Sequence, residues 1–367
     1  MGRDSSEAGD IVEDAASTSE VVRRVVLEAG FHRVGIAAAA PASAGPRLRQ
    51  WIEKGFGGEM DYIERSVERR SDPGRVLEGA RSVITAALHY GNARGGMDGR
   101  RPGAAEPRGV IAAYARGEDY HRILDARLAD ACRRLEERFG GRHRYYADTG
   151  PVLERHWAEE GGVGWIGKNT CAIDADEGSF FFLGAILTTL RLEPDSPAVN
   201  HCGSCRLCLD ACPTGAFASA YELDARLCIS YLTIEHRGPI PPALEPRLGN
   251  LIFGCDICQD VCPYNGPRSL EGDAALSPRE ENMEPSLLEL ASLDEEGFRR
   301  RFPRSAVRRA KLEGFLRNVI VALGNNGGLD AAIALERLQG KSGIASSPTL
   351  SATLERARTR ASRRHPA

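Results

Sequence analysis

Apolar residues recur along this 367-residue chain in two rhythms, one helical and one strand-like. From Glu20, the spacing Val21, Val22, Val25, Val26 followed by Gly30 predicts a short helix stopped at a glycine. Val34–Ala40, Ser82–Leu88, Val110–Ala115 and Arg144–Ala147 predict strands, the second and third nearly continuous in apolar content. Between them, Leu124, Leu128, Ala131, Leu135 and Phe139 mark one face of a helix over Tyr120–Phe139, ending at Gly140–Gly141. Lys168–Ile173, a polar turn and Phe180–Leu190 predict a hairpin. Residues 20–195 therefore form an α/β unit, and Glu193–Pro197 punctuates its end. A cysteine-rich segment occupies 196–270. Over 271–345 the apolar positions are helical again: Leu287, Leu288 and Leu290, then Leu312, Phe315, Leu316, Val319, Ile320 and Leu323. Gly324–Gly328 separates that helix from Leu329–Leu338, a pairing that suggests a helical-repeat cap. Residues 1–19, acidic and poor in large apolar side chains, are expected to be a disordered tail, and 346–367, rich in Ser, Thr and Arg, a flexible one. The fold class is α+β multidomain.

Eight of the ten cysteines fall within 202–262. The first run, Cys202-x2-Cys205-x2-Cys208-x3-Cys212-Pro213, has the bacterial ferredoxin spacing, in which three thiolates wrap one [4Fe–4S] cluster and the fourth ligates the other. The second run, Cys255-x2-Cys258-x3-Cys262-Pro263, lacks its leading cysteine, because Ile252 stands there. Cys228 is the spare cysteine between the runs. The assignment is therefore Cys202, Cys205, Cys208 and Cys262 to one cluster, and Cys212, Cys228, Cys255 and Cys258 to the other. Paired zinc sites would also use four cysteines each, but they do not explain this spacing followed by proline in both runs. Cys132 and Cys171 are read as small core hydrophobes.

Charge changes the picture only locally. The formal net charge is −3, yet Arg299–Arg317 holds eight basic residues against Glu313 alone. The longest apolar run, Phe180–Leu190, is too short to span a bilayer, and a cytoplasmic, membrane-free, monomeric protein is expected. No strand is followed by a dinucleotide fingerprint, since Gly161–Gly164 lacks the third glycine. One polar constellation stands out in the α/β unit: Asp148 beyond a strand and before Gly150-Pro151, then a glycine-rich stretch leading to Lys168-Asn169-Thr170. Asp148 either N-caps the next helix or faces a pocket. The glycines would let backbone amides approach a large ligand closely.

Taken together, Phe31-x-x-Val-Gly-Ile36, Tyr114-Ala-Arg-Gly-x-Asp-Tyr-His121, Asp148-Thr-Gly-Pro-Val-Leu-Glu-Arg155, Gly164-Trp-Ile-Gly-Lys-Asn169 and Leu223–Glu235, with the isolated Cys228, resemble the epoxyqueuosine reductase family over about residues 20–340. The resemblance implies a cobalamin in the N-terminal domain, beside a ferredoxin-like domain with two [4Fe–4S] clusters and a HEAT-like cap. It implies reduction of the epoxide of epoxyqueuosine, at the wobble position of a tRNA anticodon, to queuosine. Residues matching the family's pocket motifs are Tyr114, His121, Asp148, Arg155, Lys168, Asn169, Thr170, Ala172, Ser230 and Tyr231. Arg304, Arg308, Arg309, Lys311 and Arg317 become candidate tRNA backbone contacts. Asp148 is the candidate acid for the departing oxygen, a role that requires a dry site and no tight cation partner, with Arg155 and Lys168 as the cations to watch. The competing readings are a cobalamin-dependent reductive dehalogenase, an electron-transfer subunit without its own chemistry, and a tRNA-binding protein with structural clusters. The electron donor is not legible.

Overall fold

The computed structural model describes residues 15–91, 106–266 and 272–364. Its centre is a four-stranded sheet in the spatial order Arg33–Ala38, Ser82–His89, Phe181–Thr188, His143–Ala147, with every pairing antiparallel. Ile84 of the second strand sits between Ile36 and Ile186 across the ladder, so the two central strands bury both faces and read as continuous apolar runs. One face is covered by the helix Tyr120–Phe139, which turns Leu124, Leu128, Ala131 and Leu135 inward. The helix lies close to the sheet: a Cβ on Gly184 would stand 2.9 Å from the Leu128 methyls. The short helix Glu154–Glu160 packs on the other face, joining Val152 and Trp157 to Val83, Ala185 and Leu187.

Several expectations need correction. The predicted strand Val110–Ala115 is a strand only at Val110–Ile111. It turns into a 3-10 helix at Ala113–Ala115 and pairs in parallel with Leu251–Phe253 of the cysteine-rich segment rather than with the sheet. The predicted hairpin does not form either. Ala172–Ile173 pairs with Trp165–Ile166, while Phe181–Thr188 is drawn into the centre of the sheet, where its apolar side chains are covered on both sides.

Both expected tails carry structure. The first helix, described over Ala15–Glu28, buries Ser19, whose hydroxyl donates to Ala15 O at 2.6 Å and accepts from Glu193 N–H at 2.8 Å. Residues 348–364 form a helix that buries Leu350, Leu354, Ala357 and Ala361 against the helix Lys311–Asn326. The predicted separation at Gly324–Gly328 narrows to Gly327–Gly328, between the helices Lys311–Asn326 and Leu329–Gln339. Gly324 lies inside the first of these at its closest approach to the C-terminal helix, where a Cβ would meet Ala357 at 2.7 Å. The remainder of the expected tails, 1–14 and 365–367, lies outside the described residues.

Apolar packing runs across all three expected regions. One apolar cluster runs from Val22 and Leu124 through Ile111, Ile252 and Phe253 to Leu287, Phe315 and Leu335. Asn318, fully buried, donates to Thr233 O at 2.8 Å and to Ile252 O at 2.9 Å, stitching the helical region to the cysteine-rich one.

Candidate active site between the sheet and the cysteine-rich segment

A cavity of about 690 Å3 opens between the sheet and the cysteine-rich segment, within the usual size of a ligand site. Its walls are mostly aromatic and aliphatic, among them Trp51, Met60, Tyr114, Phe181, Phe182 and Leu183. Polar side chains are set among them, including the carboxylic residues Asp148, Glu154 and Glu222 and the arginines Arg47, Arg70 and Arg155. Asp148 has φ 60° and Thr170 φ 65°, two non-glycine residues in the left-handed region and both on the cavity wall. Such backbone strain persists where surrounding structure holds it, and it concentrates at functional sites. Gly150 is forced by the same turn, since a Cβ there would fall 2.3 Å from the Tyr146 ring.

Asp148 is not a bare acid. Tyr120 Oη donates to its Oδ2 at 2.8 Å, Arg309 Nη1 at 3.1 Å, and His121 Nε2 lies 3.3 Å away. Burial alone would raise its pKa. The His121 and Tyr120 hydrogen bonds and the Arg309 charge outweigh burial and hold the carboxyl well below the usual carboxylate range. The helix start explains how the partners arrive. Asp119 is the N-cap, accepting from His121 N–H, and its same oxygen also meets His121 Nδ1 at 2.7 Å. With Nδ1–H given to Asp119, Nε2 can accept from Arg309 in the neutral ring or donate to Asp148 once protonated. Burial lowers the His121 pKa, but the hydrogen bonds from Asp119 and Asp148 reverse the balance and raise it. Tyr120 is itself held flat on Phe182, centroids 4.1 Å apart and planes 9° from parallel.

The cysteines fall into two groups. Cys202, Cys205, Cys208 and Cys262 line one small cavity with His201 and Tyr264. The thiols of Cys212, Cys228, Cys255 and Cys258 lie close enough to act on one another electrostatically. Around the first group, Trp165 Nε1–H donates to Cys202 Sγ at 3.5 Å, and Lys168 Nζ donates to Gly203 O at 2.6 Å and Cys205 O at 2.8 Å. The second group touches the large cavity, because Cys171 on its wall lies close enough to Cys258 for their thiols to act on one another, and Gln259 lines it too. The two groups also differ in access: Cys205 is exposed, whereas Cys258 is only partly so.

The residues expected around the ligand divide. Tyr114, Asp148, Arg155, Thr170 and Ala172 line the large cavity. Lys168 and Asn169 do not: they border the first cysteine group, and Asn169 Nδ2 donates to Cys258 O at 3.3 Å. His121 stands behind Asp148, and Tyr231 faces away, its hydroxyl accepting from Glu59 N–H at 2.8 Å. Ser230, half-buried in its helix, is not on the cavity wall among the described residues. The cation feared for Asp148 was Arg155 or Lys168. Neither reaches it, and Arg309, expected on tRNA, is the one that does.

Arg317 is also misplaced by sequence reasoning. It is 1 % exposed, its guanidinium satisfied by the carbonyls of Leu232, His236 and Gly238, so it is a structural strut and no surface contact. Burial and the neighbouring Arg237 push its pKa down to about 10. Arg304, Arg308 and Lys311 remain exposed.

Comparison with known proteins gives this arrangement a family. A model described as epoxyqueuosine reductase QueG, DUF1730, matches residues 70–149, and one described as a 4Fe-4S double cluster binding domain matches 201–265. An epoxyqueuosine reductase of Alicycliphilus denitrificans is 43 % identical over 324 residues, covering 84 % of this chain and 88 % of that protein. One of Salmonella typhimurium is 40 % identical over 332 residues, covering 89 % and 85 %. The chain belongs to the epoxyqueuosine reductase family. A crystal structure of epoxyqueuosine reductase with a tRNA-Tyr epoxyqueuosine-modified stem loop superposes with a TM-score of 0.86 at 29 % identity, covering 95 % of this chain and 91 % of that one. In this member of the epoxyqueuosine reductase family, Tyr120 and Glu154 were missed as site residues. Both lie inside motifs already singled out, one residue from His121 and Arg155.

Proposed function

We propose that this protein reduces the epoxide of epoxyqueuosine in a tRNA anticodon to the alkene of queuosine, with a cobalamin in the large cavity and two [4Fe–4S] clusters on the two cysteine quartets. The observation that carries the reading is the position of that cavity, walled by Asp148 on one side and by Cys171 and Gln259, beside Cys258, on the other. Its volume, its aromatic and aliphatic walls and the polar side chains set among them suit a broad, flat corrin edged with amide side chains. Tyr114, Arg155, Thr170 and Ala172 are the residues placed to hold it. Bound there, cobalamin would supply a low-valent metal centre able to take electrons singly and reduce the epoxide.

The chain's own part is electron routing, substrate holding and proton supply. Exposed Cys205 marks the first quartet as the intake side, and the Cys258–Cys171 contact puts the second against the cavity. Converting an epoxide to an alkene consumes two electrons and two protons and releases water. Asp148, fixed as a carboxylate, cannot be the ultimate source of a proton in this arrangement. It passes on one held by His121, whose pKa the facing Asp119 and Asp148 carboxylates raise above the ordinary imidazole value. The tRNA backbone lies along Arg304, Arg308 and Lys311, a side of the molecule contiguous with Arg309 and therefore with Asp148. A tRNA substrate implies a cytoplasmic site of action, and no helix among the described residues is long and apolar enough to cross a membrane.

The test is anaerobic purification, iron, cobalt and corrin analysis, and nucleoside analysis of epoxyqueuosine-containing tRNA after incubation with reductant. Eight irons and one corrin to a chain, roughly, with conversion to queuosine, is the expected result. Iron without corrin uptake, or corrin without conversion, overturns it.

A further inference from the structure

The reaction needs two protons, and the Asp148–His121 pair accounts for one. A second carboxyl lines the same cavity. Glu154 opens the short helix that follows the Asp148 turn, and its Oε1 is buried with no hydrogen-bond partner among the described residues. A buried, unsatisfied carboxylate oxygen is costly, whereas a protonated carboxyl with its donor aimed at a ligand is not. The nearby cations are engaged elsewhere: Arg70 Nη1 donates to Val152 O at 3.2 Å, and Arg155 Nη1 donates to Thr170 O. His156, two residues on, is buried, and that burial keeps its ring neutral. The charges of Arg70 and Arg155 still favour the ionised form, but burial outweighs them, and the like charge of Asp148 disfavours a second ionised carboxylate beside it.

We propose that Glu154 is the second proton donor of the reaction, giving its carboxyl proton to the oxygen that leaves the substrate. This rests on the reductase reading above. The balance is explicit. Both carbon–oxygen bonds of the epoxide break, the carbon–carbon π bond forms, and the oxygen departs as water. Two electrons come from the cluster side, one proton comes through Asp148 from His121, and one comes from the O–H of Glu154, which solvent then restores. The environments of the two carboxyls support the division. Burial, with the Asp148 charge added, raises the Glu154 pKa to about 8, while Asp148 is held far below it. Two acids driven apart in this way take different roles.

Two measurements on the full-length, cluster- and cobalamin-loaded protein test this. In infrared difference titration, the wild type shows a protonated-carboxyl band at neutral pH that disappears near pH 8, and Glu154→Gln lacks it. In single turnover with excess reductant, Glu154→Gln slows conversion by roughly 10²–10³-fold, with tRNA affinity, corrin spectrum and iron content unchanged. Glu154→Asp recovers part of the rate and shifts its alkaline limb. A wild type without the band, or Glu154→Gln turning over at the wild-type rate, overturns the proposal. Should Glu154→Gln fail to fold, an unshifted alkaline limb in Glu154→Asp overturns it equally. A wild type that shows the band but never converts tRNA overturns the reductase reading instead.

Discussion

The two cysteine quartets are built from one residue type, yet the fold gives them different surroundings. Cys202, Cys205, Cys208 and Cys262 line a small cavity of their own, with Cys205 exposed and the loop pinned by Lys168 and Trp165. Cys212, Cys228, Cys255 and Cys258 lie deeper, and burial pushes the Cys228 and Cys255 thiols up. They face the large cavity through Cys171. On the proposed function, identical ligands acquire separate duties from position, the exposed quartet receiving electrons and the buried one delivering them. Cluster potential follows hydrogen bonds to sulfur and solvent access as much as ligand identity, so this asymmetry gives electrons a direction.

The comparison breaks most visibly at Cys228. Cys228→Ala should remove the buried cluster, take iron from about eight atoms to about four per chain, and abolish conversion with any reductant. Iron analysis with turnover assay checks it, and full activity would dissolve the division of duties. Cys205→Ser is the mirror case. It should keep conversion driven by a small chemical reductant that reaches the inner site, while losing most conversion driven by a protein donor. Equal losses with both donors would mean the outer quartet is more than an intake.

The basic segment allows a finer contrast. Arg317→Met should cost about 3–5 kcal/mol of stability, since it orphans buried carbonyls and removes a buried charge from its partners. It should leave the salt dependence of tRNA binding unchanged, with thermal unfolding and binding titrations as the checks. Arg308→Ala or Lys311→Ala should do the reverse. Stability holds, affinity falls a few-fold, and the slope of log affinity against log salt drops by about one per residue removed.

The sequence made the two cysteine runs, the central strands and the helix Tyr120–Phe139 legible, because each rests on a local spacing that no distant contact overrides. The C-terminal helix was hidden. Its inward positions Leu350, Leu354, Ala357 and Ala361 are few and partly small among Arg, Ser and Thr, and the helix is held by packing onto Gly324 rather than by bulk. Further tertiary help comes from Arg356 and Arg360, which both reach the fully buried Glu245. Arg309 and Arg317 could not be told from Arg308 by residue type. Only the fold decides that one meets a carboxylate 161 positions earlier, one meets three carbonyls and one meets water. Asp148 was legible as a site residue, but its charge state was not, since Tyr120 and Arg309 come from different parts of the chain.

The strand Leu251–Phe253 pairs on one side with Val110–Ile111 and packs on the other against the helix Lys311–Asn326, so the segment bearing the cysteines is woven into the folding core. Electron carriers that dock from outside must diffuse, collide and separate at each transfer. Here that encounter is settled once, when the chain folds. The span between the inner quartet and the cavity becomes a constant of the molecule, indifferent to concentration, viscosity and ionic strength, and the same weave means that this relay cannot be lifted out and exchanged for another without unmaking the enzyme around it.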